Sequence, residues 1–100
     1  MKYKLIVDTK DPIGTSLEWF WREIDAPLPM GTDVQINHVD SDIETDNETF
    51  VVDSIDYSVE NNTLYIWAGK TTKSDLGYAD DMEELFRLLG FDRGDESLWR

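Results

Sequence analysis

The run TFVVDSIDYSVENNTLYIWAG, residues 49 to 69, constrains the fold more than any other stretch, because two alternating apolar runs flank the pair Asn61-Asn62. Asn tolerates the positive φ that tight hairpin turns require, so the pair is expected to close a two-residue β-hairpin. With Glu60 facing Thr63, Val59 pairs with Leu64, Tyr57 with Ile66 and Ile55 with Ala68, giving one apolar face. Asp56, Ser58, Glu60, Thr63, Tyr65 and Trp67 fall on the other. Phe50 and Val52 have the opposite parity to Ile55 and Tyr57, which predicts a β-bulge near Asp53-Ser54 and a bend in the strand.

The flanking segments supply more strands and one helix. Tyr3, Leu5 and Val7 alternate with Lys2, Lys4 and Ile6, the period of a strand with one buried face, which Pro12 and Gly14 end. SLEWFWREI, residues 16 to 24, carries two patterns. Leu17, Phe20, Trp21 and Ile24 have helical spacing, with Thr15 and Glu18 as a capping box, whereas Leu17, Trp19 and Trp21 share a strand face with high β propensity; the strand is preferred. APLPMGTD is a turn, and Asp33 to Val39 follows as a strand with Val34 and Ile36 on one side. Met82, Leu85, Phe86 and Leu89 repeat at helical spacing between a capping pair, Asp80 and Glu83, and a stop at Gly90-Phe91. Leu98 and Trp99 are expected to order part of the tail.

These elements predict an α+β fold: a small curved antiparallel sheet or SH3-like barrel of about five strands with one C-terminal helix. The run LPMGTDVQI followed by a bent hairpin resembles the layout of many SH3-like barrels, where a Pro-x-Gly turn precedes a strand. That resemblance is one of fold and carries no function.

At 100 residues a single domain spanning residues 1–100 is expected. An apolar fraction of 40%, with 12% aromatic, is enough to form a core despite a net charge of −13. The absence of cysteine excludes disulfides and thiolate metal sites and fits a reducing cytoplasmic setting. KYKLIVDTKDP turns polar too early for a signal peptide, and no run approaches the roughly 20 apolar residues of a membrane span, so a soluble, unexported protein is expected.

Charge is the functional signal. Residues 31 to 69 hold nine acids and no Lys or Arg, whereas residues 1 to 30 set five acids against four bases. Direct contact with nucleic acid or an anionic membrane is therefore disfavoured, and a cationic partner is the complement. Asp40, Asp42, Glu44, Asp46 and Glu48 take every second position of VDSDIETDNET, so in an extended chain they share one face about 6.7 Å apart. Such a row can imitate the phosphates of a nucleic-acid backbone; the plainer reading is a solvated loop. An EF-hand reading of the same acids fails, because Thr45 replaces the turn glycine and Val51 the bidentate Glu. His38, the single histidine, is expected to be a solvated surface residue.

Tyr65 and Trp67, beside Asp56 and Glu60, could hold a Lys or Arg by joint cation–π and ionic contact; alternatively, the stripe Met82, Leu85, Phe86 and Leu89 roofs them as core. No nucleophile pattern, phosphate loop or ligand cluster stands out, so no enzyme activity, cofactor or metal is expected. The expected function is a small acidic module that engages a basic protein, in one form a nucleic-acid-binding protein that it inhibits by mimicry, as many virus-encoded inhibitors of host defence do. The alternative is an assembly subunit of a larger complex, such as a phage particle, its charge serving solubility. Monomer and homodimer both remain open.

Overall fold

The structure, a computed structural model, describes residues 1–10, 16–36, 48–71 and 86–94. His38, the acids from Asp40 to Asp46, the Asp80–Glu83 capping pair, Met82, Leu85 and the Leu98-Trp99 tail lie outside the described residues. Among the described residues there are six strands: β1 (Lys2–Lys10), β2 (Ser16–Ile24), β3 (Asp33–Ile36), β4 (Glu48–Ser58), β5 (Thr63–Thr71) and β6 (Asp92–Arg93). Residues 86–88 belong to a short helix, α1. SLEWFWREI is thus a strand: Trp19 and Trp21 share one face and Phe20 takes the other.

The β4–β5 hairpin forms with Ile55, Leu64, Ile66 and Ala68 on the expected apolar face, but in a different register. Val59 and Glu60, expected to pair with Leu64 and Thr63, lie in the loop, and Tyr57 is exposed. Ser58 pairs with Thr63, Tyr57 with Leu64 and Ile55 with Ile66, so the loop is four residues, 59–62, rather than two. The slip is two residues, which preserves the parity of every side chain; a slip of one would have exchanged the faces. Local bonds hold the longer loop: Tyr57 Oη donates to Asn62 Oδ1 at 3.0 Å and Thr63 Oγ1 to the Asn61 carbonyl at 3.0 Å. Asn62 takes the positive φ, 49°. The bulge falls where the parity break places it, between Val52 and Ser54.

The sheet order is β3-β4-β5-β1-β2-β6. β1 pairs with β2 antiparallel and with β5 in parallel, from Lys2↔Thr63 to Lys10↔Thr71. The architecture is therefore a curled, mixed, six-stranded half-barrel with one short helix, where an antiparallel sheet of about five strands was expected. The parallel seam has a sequence basis. Leu5-Ile6-Val7 and Leu64-Tyr65-Ile66-Trp67-Ala68 are continuous apolar runs, which suit strands covered on both sides. The expectation of one buried face on β1 is corrected accordingly: Lys4, Leu5, Ile6, Val7 and Asp8 are all buried.

The main core lies on one face, where Leu5, Val7, Phe20, Ile36, Phe50, Val52, Ile66 and Ala68 meet Phe86 and Phe91. Phe86 stacks on Phe20 at 4.5 Å between centroids and meets Phe50 and Phe91 edge-on. The helix stops as its sequence implies. Gly90, at φ 84°, donates to the Arg87 carbonyl at 3.0 Å, and Phe91 donates to the Phe86 carbonyl at 2.8 Å, the paired bonds of a Schellman motif. Arg22 Nη1 adds a bond to the Leu89 carbonyl at 2.8 Å, a cation at the negative end of the helix.

Phe86→Ala, which empties a fully buried site, is expected to lower unfolding free energy by about 3–5 kcal/mol in urea titrations. Leu88→Ala, two residues along the same turn and 78% exposed, should change it by less than about 0.5 kcal/mol.

Candidate partner-binding surface

The second face of the sheet decides which sequence-nominated residues can meet a partner. Strand pairing sets its side chains in rows. Asp56, Tyr65, Lys4 and Glu23 run across β4, β5, β1 and β2, and Ser54, Trp67, Ile6 and Trp21 form the next row. Ile6 and Tyr65 are buried there, with Trp19, Trp21 and Trp67 packed around them, and the Trp19 and Trp67 rings are 6.0 Å apart.

Lys4 sits inside this aromatic patch at 1% exposure. Its Nζ lies 4.7 Å from the Trp21 ring centroid and 5.9 Å from that of Tyr65, within the range where a ring quadrupole attracts a cation. Burial pushes the Lys4 ammonium below its ordinary 10.5; Glu23 opposes that shift and Lys2 adds to it. Lys2 also reaches Glu23, at 4.0 Å, in an exposed pair.

Of the nominated residues, Asp40, Asp42, Glu44 and Asp46 lie outside the described residues, and Glu48 is the first residue of β4. Asp56 is exposed and sits directly across from Tyr65, with Trp67 on the same face. Glu60 is exposed in the 59–62 loop. Tyr65 is 3% exposed and Trp67 is half-buried, so the two rings differ in what they offer a partner. The described part of the helix stripe, Phe86 and Leu89, packs on the opposite face and does not roof them.

Two features of this surface escape a strand-by-strand reading of the sequence. Trp19, Trp21, Tyr65 and Trp67 converge only because β1 lies between β2 and β5. The available signal was their shared parity: Trp19 and Trp21 alternate with Phe20 in one strand, and Tyr65 and Trp67 with Leu64, Ile66 and Ala68 in the other. Charge also separates across the sheet: β3 and β4 contain no Lys or Arg, whereas Lys2, Lys4 and Arg22 lie on β1 and β2 and Arg93 on β6. Asp33, Asp53, Asp56 and Glu60 are all exposed in the base-free half.

Comparison of the chain with protein-family models, curated proteins and solved structures yields no match. Among the described residues no helix is long and apolar enough to cross a membrane.

The Lys4 burial has a pH consequence. Because its folded pKa is lowered, the unfolded chain binds more protons between that value and 10.5, so this contribution to stability rises with pH through the interval. Urea unfolding of the parent and Lys4→Met proteins should therefore differ most at neutral pH, in favour of Met, and converge as pH approaches 10.5. A difference that does not vary with pH would place the Lys4 ammonium in water.

Proposed function

We propose that the protein is a non-enzymatic acidic binding module whose base-free half engages a basic protein surface. The observation that carries this reading is the coincidence of sheet order and charge. β3, β4 and the loop 59–62 expose Asp33, Asp53, Asp56 and Glu60 with no Lys or Arg from residue 31 to residue 69. Field lines from such a surface speed encounter with a cationic partner, and binding then needs an apolar anchor. Trp67, half-buried beside Ser54 and Asp56, fits the anchor role; Tyr65 supports it from beneath the surface. In its specific form the module occupies the phosphate-binding surface of a DNA- or RNA-binding protein and inhibits it. In the sequence, Asp40, Asp42, Glu44 and Asp46 continue the same charge between β3 and β4, up to Glu48 at the start of β4.

A second reading rests on apolar exposure. Tyr57 and Val59, neighbours at the end of the β4–β5 hairpin, are 49% and 79% exposed, which suits an assembly subunit that buries them against a larger structure. Salt separates the two, since a charge-steered contact weakens well before about 0.5 M salt and an apolar one does not.

The test is capture of binding proteins from a cell lysate by the parent chain and by a variant with Asp40, Asp42, Glu44, Asp46 and Glu48 changed to Asn or Gln. A basic nucleic-acid-binding protein retained by the parent at about 0.05 M salt, lost at about 0.5 M and lost from the variant supports the module. Retention unchanged by salt and by neutralisation overturns it in favour of assembly.

A further inference from the structure

Among the described residues β3 ends the sheet and is bonded on one side only, to β4. Gly31 donates to the Val52 carbonyl at 2.8 Å, and Val52 donates to the Thr32 carbonyl at 3.0 Å. An antiparallel ladder alternates, so the backbones of Val34 and Ile36 face Phe50 and Glu48, while the N–H and C=O groups of Asp33 and Gln35 point away from β4. Among the described residues nothing bonds to Asp33 or Gln35 across that edge. The turn before it is well built: Thr32 Oγ1 donates to the Pro29 carbonyl at 2.7 Å, and Gly31, at φ 85°, takes the positive-φ position.

We infer that this open edge accepts an extended segment of the basic partner as an added strand. The inference rests on the proposed function and locates the contact. Side chains on β3 dictate the chemistry of the guest. Asp33 and Gln35 are exposed on the second face, the one that also carries Asp56. Val34 is half-buried and Ile36 buried on the first face, against the main core. A complementary strand therefore alternates Lys or Arg, facing Asp33, with Val- or Ile-like residues extending the core beside Val34. The edge lacks the lysines that often protect such strands, and its protection is acidic. A second copy pairing here would bring Asp33 toward its own kind at −13 per chain, so the charge that discourages self-pairing selects a cationic guest.

The experiment titrates the protein with a synthetic peptide of alternating Lys and Val, and with a Glu-for-Lys counterpart, following backbone amide exchange by NMR. The Lys/Val peptide is expected to slow exchange of the Asp33 and Gln35 amides at least about tenfold, and the Glu/Val peptide to leave them unchanged. Gln35→Pro removes one outward N–H without touching the β4 ladder and should raise the Kd about tenfold; Asp33→Lys should weaken the Lys/Val peptide and admit the Glu/Val one. Salt-sensitive binding that leaves these amides unprotected and is indifferent to Gln35→Pro overturns the edge and leaves the acidic module standing. No binding of the cationic peptide at low salt overturns both. Equal protection by the Glu/Val peptide, or protection that grows with protein concentration alone, overturns the cationic guest.

Discussion

The parallel pairing of β1 with β5 is the constraint on which the rest of the molecule depends. It joins two antiparallel pieces, the β1–β2 hairpin and the β3–β4–β5 meander, into one sheet. Leu5 and Val7 then meet Ile66 and Ala68 on the main-core face, and Lys4 and Ile6 meet Tyr65 and Trp67 on the other. The same seam is a charge boundary. On its β5 side the sequence is free of bases from residue 31 to 69, and on its β1 side Lys2, Lys4 and Arg22 answer the local acids. Among the described residues, acids without neighbouring bases thus gather on the β3–β4 side of the sheet, while acids and bases balance on β1 and β2.

The aromatic second face makes that arrangement tolerable. Trp21 and Tyr65 receive the Lys4 ammonium, a buried cation near the boundary with the acidic half, in the row that runs from Asp56 to Glu23. A buried ammonium is costly, and ring faces with adjacent carboxylates offset part of that cost. The result is a stiff floor of Trp19, Trp21, Tyr65 and Trp67 under one border of the acidic surface. Gly94 closes the far side of the sheet: it donates to the Trp19 carbonyl at 2.7 Å, and its α-carbon sits so close to the Trp19 ring that no side chain fits.

How much of this was legible in the sequence follows from which interactions are local. The bulge at Asp53 could be read from a parity break, the Gly90 stop from a glycine after an apolar stripe, and the faces of β4 and β5 from alternation. The loop length could not. Asn61-Asn62 suits a two-residue turn, but bonds from Tyr57 and Thr63 hold a four-residue one, and both keep the same parity. Alternation also says nothing about which strand lies beside which. For that reason the parallel seam, the burial of Lys4 and the meeting of four aromatics from β2 and β5 emerged only with the topology. The acidic surface was legible as composition, and Asp33 gained its significance from lying on an edge strand.

These elements amount to a polarised sheet: one half packed around aromatics and cations, the other presenting carboxylates, a half-buried Trp67 and an open edge. The claim at the centre is that the fold concentrates a negative field over β3 and β4. NMR relaxation of backbone amides in the presence of a cationic, a neutral and an anionic nitroxide cosolute measures that field without any partner. At low salt the cationic probe is expected to enhance relaxation at residues 33–36 and 51–60 well beyond the neutral probe, and the anionic probe to avoid them, with a much smaller contrast across β1, β2 and β6. Equal contrast over the whole sheet would contradict the account.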